Sequence, residues 1–160
     1  MSQAQNIYTL AKKAGLVAGG SLEDLFPEEK LLGIVKQDQL VKILVLYSVD
    51  HQKGMMLDWK FSAEDVVFNV LSLLPDLDIQ SLGEKQVSGD WFETIKVEGQ
   101  EYSFIQEKAM VYEVIKPINS HLEKKGLAFI TPTNSDDNIY FLLVARETVP
   151  EFEALGFYLA

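Results

Sequence analysis

The sequence predicts an α+β fold: a mainly antiparallel sheet built from three hairpins with helices packed against it, preceded by one or two N-terminal helices. Three observations predict it. After residue 40, apolar segments of strand length come in pairs joined by short turns. Amphipathic stretches of helical period lie between the pairs. The resulting order is hairpin, helix, hairpin, helix, hairpin, short helix, which argues for antiparallel strands covered by helices. At 160 residues the chain suits a single domain spanning 1–160, with the helical segment at about 5–37 packed onto the same core.

The elements follow in order. Asn6 to Ala14 reads as a helix, with Ile7, Leu10 and Ala14 on one face and Gly15 as the stop. Ser21-Leu22-Glu23-Asp24 has the form of a capping box, and Pro27 suits the first turn of a second helix running to about Lys36, with Leu31, Leu32 and Val35 inward. Val41 to Val49 reads as a central strand, apolar on both faces. Asp50 to Gly54 then turns the chain into Met55 to Phe61, where Leu57, Trp59 and Phe61 alternate with Met56, Asp58 and Lys60 to complete a first hairpin. Ser62 caps a helix carrying Val66, Val67, Val70, Leu71 and Leu74 on one face, ended by Pro75. The polar stretch Asp76 to Asp90 has room for one short edge strand.

Trp91 to Val97 and Gln100 to Gln106 make a second hairpin around Glu98-Gly99. Glu107 to Lys125 reads as a helix with a stripe at Val111, Val114, Ile115, Ile118 and Leu122, kinked at Pro117 and closed by Gly126. Leu127 to Thr131 and Ile139 to Ala145 make a third hairpin, and a short helix near Glu151 to Leu155 ends the chain.

Composition narrows function chiefly by exclusion. There are no cysteines, so disulfides, thiolate nucleophiles and cysteine-ligated metals drop out together, and a cytoplasmic location is expected. No stretch approaches the roughly 20 apolar residues that cross a bilayer. Acids number 24 against 14 bases, a net charge of −10. Division at residue 80 leaves −4 in the first half and −6 in the second, so the surplus is not a tail. Arg146 is the only arginine. Nucleic acids and anionic membranes are therefore unexpected partners, since cations supply most of the affinity for phosphate.

Catalytic and metal motifs fail on inspection. The Gly15–Ser21 stretch has the outline of a phosphate loop but lacks its lysine and a preceding strand. His51 stands beside Asp50 in a turn, with Ser48 as the nearest hydroxyl, an arrangement without the exposed elbow of a catalytic serine. His121 lies two residues from Glu123, a spacing that does not share a helix face, and reads as a solvated helix position. The Asn134–Asn138 loop, with Asp136 and Asp137, lacks the ligand pattern of an EF-hand. No metal and no cofactor is expected.

Three classes of role remain. The first is a non-enzymatic acidic binding protein, possible in immunity or inhibitor form, that neutralises a basic partner through complementary potential. Its contacts are expected among Asp50, Asp58, Asp90, Glu93, Asp136, Asp137, Glu151 and Glu153. Trp91 joins them as an aromatic anchor, since adjacent strand residues Trp91 and Phe92 point to opposite faces. The second is a regulatory or structural domain acting through homo-oligomerisation or a larger complex. A carboxylate-based enzyme ranks last, because the usual nucleophiles, bases and cofactor loops are missing.

Overall fold

Where the sequence is apolar on both faces, two periods compete, and packing decides between them. A computed structural model describes residues 2–28, 36–107, 109–133 and 138–160. The chain begins with α1 (Gln3–Ala14), whose first turn is capped by the Ser2 hydroxyl accepting from Gln5 N and whose end is Gly15 in the left-handed region. The short α2 (Leu22–Leu25) follows, with Asp24 bonded back to Ser21 N. The remainder of the second N-terminal helix expected from sequence, with Leu31, Leu32 and Val35, lies outside the described residues.

The expected strand Val41–Val49 is instead part of α3 (Gln37–Asp50). Its buried residues are Leu40, Val41, Leu44, Val45 and Ser48. That spacing places them on one stripe of a helix, packed against α1 and the sheet. The alternation of Ile43, Val45, Tyr47 and Val49 fits a strand equally well in sequence, but an apolar run of this kind cannot be assigned by period alone. The first hairpin therefore does not exist. β1 (Gly54–Asp58) pairs instead with β6 (Asn138–Ala145), in the register Gly54↔Leu142 to Asp58↔Asn138. Gly54 is required there, because a Cβ would stand 2.8 Å from Leu142 Cδ2 and 2.9 Å from Phe141 O.

The next helix, α4 (Ala63–Leu73), opens with the capping box expected at Ser62 and Asp65. The polar link then holds a long strand, β2 (Ile79–Val87), where only a short one was expected. It pairs with β3 (Asp90–Val97), and β3 with β4 (Gln100–Ile105), giving a three-stranded antiparallel sheet in the order β2-β3-β4. Both of its turns, Ser88-Gly89 and Glu98-Gly99, have positive φ at the two central residues. That is the twist-compatible geometry of two-residue hairpins.

The last major helix, α5 (Val111–Leu122), starts later than expected and continues through Pro117; a 3-10 turn at Glu123–Lys125 then leads to Gly126 in the left-handed region. The hairpin of β5 (Leu127–Pro132) and β6 is as expected from sequence. The short α6 (Val149–Glu153) leads into an unanticipated β7 (Phe157–Leu159), which pairs with β5. The second sheet is thus four-stranded and antiparallel, in the order β1-β6-β5-β7.

The α+β class holds, in layers. One core joins α1 and α3 to Ala128, Ile130, Leu142 and Val144 on one face of the four-stranded sheet. A second core joins the opposite face, through Phe129, Ile139 and Phe141, to α4 and α5, and these in turn to Ile79, Ile95 and Val97 of the three-stranded sheet. The sole arginine is spent internally: Arg146 Nε donates to Leu127 O and Nη2 to Asn119 O. No helix among the described residues is long and apolar enough to cross a membrane.

Candidate functional site

Fold boundaries reveal a charge distribution that division at the midpoint hides. Residues 62–107, which form α4 and the three-stranded sheet, contain ten acids and two lysines, a net charge of −8. Residues 1–61 balance at seven acids and seven bases, and residues 108–160 carry seven acids against five bases. Most of the surplus therefore belongs to one contiguous piece of structure. Within it Glu64, Asp65, Asp76, Asp78, Glu84, Asp90, Glu101 and Glu107 are exposed. The same piece carries Phe68, Leu82, Val87, Trp91 and Ile105, five of the nine exposed large apolar side chains among the described residues.

Alternation along β3 sets the geometry. Trp91, Glu93, Ile95 and Val97 share the face turned toward α4. Ile95 and Val97 are fully buried beneath the helix, and Glu93 is 8% exposed. Its Oε1 accepts from Ala63 N at 2.8 Å, so the carboxylate sits on the first amide of α4, where the helix dipole favours an anion. The helix begins at that level. Trp91, one step further out on the same face of the strand, remains 45% exposed. Glu84 lies opposite Glu93 in register and accepts from Gln106 Nε2 at 2.6 Å, while Gln106 N donates to Trp91 O at 2.8 Å.

The residues proposed from sequence fall on separate elements. Asp90 and Trp91 are exposed at the start of β3, and Glu93 shares their strand. Glu93, however, is a buried helix cap and is not presented to a partner. Asp50 is exposed at the end of α3. Asp58 is exposed at the end of β1 and accepts from Lys60 N at 2.8 Å, a local turn contact. Glu151 and Glu153 are exposed on α6, and Glu151 is paired with Lys13 Nζ at 2.9 Å. Asp136 and Asp137 lie outside the described residues.

Sequence reasoning missed a polar cluster. His121 is not a solvated helix position: its side chain is only 11% exposed. Its Nδ1 is 3.1 Å from Glu98 Oε1 and its Nε2 is 2.7 Å from the Tyr102 hydroxyl, which also donates to Gln100 Oε1 at 2.9 Å. Lys124 Nζ lies 3.0 Å from the same Glu98 oxygen. Carboxylate, imidazole and phenol in line can move a proton, yet here the line runs between a hairpin turn and the end of α5, and none of its members lines the cavities described below. It acts as a latch between the β3–β4 turn and the helix. No local spacing signals it, because Glu98 and His121 are 23 residues apart.

The latch has a pH dependence of fixed sign. The bond from Lys124 holds the Glu98 carboxyl below the usual carboxylate range; burial opposes this, and the His121 bond and the charges of Lys124 and Lys125 reinforce it. A depressed carboxyl contributes stability above its unfolded value and loses it as pH falls through the folded value. Glu98→Gln is therefore expected to be less stable than the parent at neutral pH. The difference should close on acidification through the carboxylate range, as followed by denaturant midpoints at each pH. Exposure of Lys124 keeps the effect modest.

His51 stacks on Tyr47 at 3.8 Å between ring centroids and sits at the end of α3. Ser48, the hydroxyl nearest to it in sequence, is fully buried and donates to Leu44 O. A cavity of about 360 Å³ lies along α3, lined by Asp38, Val41, Lys42, Tyr140, Thr133 and Leu155 among others. A smaller one lies between β1 and α4, bordered by Met55, Met56, Asn69 and Leu73. Among the described residues, no group of three or more His, Asp or Glu side chains is placed to hold a metal ion.

Comparison with known proteins places the chain by family alone. No curated protein and no solved structure matches it. Residues 18–159 match the model of the family described as a domain of unknown function, DUF6630, and the chain belongs to that family.

Proposed function

We propose that this chain is a non-enzymatic acidic binding protein of the cytoplasm, of the immunity or inhibitor type, whose partner is a basic protein. One observation carries the reading: residues 62–107 hold a net charge of −8 and also present an exposed tryptophan. A surface of one sign steers a cationic partner toward it and rejects anionic ones. The pairing of lysines does not cancel it. Among the described residues, lysine–carboxylate pairs are Lys13–Glu151, Lys116–Glu113 and Lys124–Glu98, and only the last involves an acid of this segment. Affinity capture at low salt, followed by measurement with the purified captured protein, tests the reading. The expected partner has a basic isoelectric point, and its affinity falls steeply between low and physiological salt. A neutral or acidic partner, or affinity indifferent to salt, overturns the proposal.

A second reading is favoured by the solvent face of the three-stranded sheet. Val87, Phe92 and Ile105 lie together there by register, beside Lys85, Lys96, Asp90 and Glu101, whose charges balance. Such a face could pair with its own copy, making the chain a regulatory or structural domain that works as a homo-oligomer. Light scattering decides this: a monomer at high concentration removes it.

A further inference from the structure

We infer that the basic partner docks on the end of the three-stranded sheet that overhangs α4, with Trp91 as its anchor and an arginine-bearing segment as its occupant. This inference rests on the proposed function and specifies where that function resides. Three observations lead to it. The sheet runs past the start of α4, since Glu93 already meets the first helical amide, so Trp91 stands on a ledge beyond it, 45% exposed. Tryptophan is among the residues enriched at the energetic centres of interfaces.

The second observation is the sign of the charges around it. Lys85 and Lys96, the only cations of residues 62–107, have even register positions with Phe92 and Thr94 and point to the opposite face of the sheet. On the Trp91 face stand Glu84 and Glu93, and the segment leading through the first turn of α4 contributes Glu64 and Asp65 against Lys60, whose Nζ lies 5.2 Å from the Trp59 ring centroid. The third is that the helix terminus does not repel a cation, because Glu93 already covers its amide. An indole beside fixed carboxylates suits a guanidinium, which stacks on the ring while bonding to an acid at its edge. Glu84 is held ready for that bond by Gln106. A second copy of this chain is the poorer occupant of this ledge, since it brings the same negative charge to it.

The test uses the full chain with Trp59→Phe, which leaves Trp91 as its only tryptophan. The probe is a labelled amphipathic peptide alternating arginine and leucine, with an alternating glutamine–leucine peptide as control. Saturable binding that shifts Trp91 emission and weakens with salt is expected. Trp91→Ala and the pair Glu64→Gln with Glu84→Gln should each lower affinity by about ten-fold or more, as removal of an anchor does. Glu151→Gln with Glu153→Gln should leave it unchanged. If the arginine peptide binds but only the α6 variants weaken it, the ledge is wrong while the acidic-binder reading stands. If it binds no better than the glutamine peptide at low salt, both fail. Circular dichroism on each variant confirms that the fold is retained.

Discussion

Asn119→Ala is expected to lower the free energy of unfolding by about 2–4 kcal/mol, the range for stranding a buried polar group and opening a small void. Asn119 is 3% exposed on α5 and faces the back of β5. Its Oδ1 accepts from Phe129 N at 2.6 Å, while Nδ2 donates to Phe129 O at 2.9 Å and to Ala160 O at 2.6 Å. The side chain thus replaces a neighbouring strand for one residue of the sheet and fastens the end of β7 beside it. In the alanine variant Phe129 O keeps the bond from Ala160 N, but Phe129 N loses Asn119 and stays buried. For a chain of this length each kcal/mol lowers the melting temperature by about 2–4 °C, so a loss of roughly 4–16 °C should be visible by calorimetry. Asn119→Asp supplies the control. It retains an acceptor for Phe129 N but aims a second oxygen at two carbonyls, and it should be no more stable than the alanine form. If Asn119→Asp matches the parent, the amide's donor bonds do not stabilise the fold.

The position of Asn119 illustrates what a linear reading can and cannot reach. In sequence it sits between Ile118 and His121 on a helix with a clear apolar stripe, and nothing distinguishes a buried asparagine from a solvated one. The stripe itself was legible because a helix covered on one side must repeat at about 3.6 residues. The hairpin around Glu98-Gly99 was legible because its turn demands particular residues and its strands alternate, and that from Leu127 to Ala145 because two apolar runs of strand length flank a polar stretch. Val41–Val49 was not, since α3 packs along a stripe while Ile43 and Tyr47 on its flanks are themselves apolar and partly buried. The length of β2 was missed for the opposite reason. Past Ile79 it is largely exposed, so no apolar alternation marks it. The acidic character of the site could be read as a total but not as a location, which appeared only when α4 and its sheet were seen to form one contiguous piece.

Glu93 shows how burial separates acids that composition treats alike. It was grouped with Asp90 as a surface contact, yet its carboxylate is held on Ala63 N beneath the central strand of the sheet. Glu93→Ala is expected to destabilise the chain by about 2 kcal/mol, within the range for a hydrogen bond to a charged group at a helix terminus. Glu93→Gln keeps an oxygen able to accept from Ala63 N and loses only the charge, so it should recover roughly half of that loss. Because Glu93 also offsets the positive end of α4, either substitution should weaken a cationic peptide slightly, with its main effect on the fold. Glu84→Gln, one strand away and exposed, should do the reverse and weaken binding with little effect on unfolding. Denaturant melts and peptide titrations on the same samples separate the two roles. A Glu93→Gln variant as stable as the parent but with weakened binding would move Glu93 from the helix cap to the contact surface. The ledge beside Trp91 would then owe its charge to a residue that the packing assigns to the core.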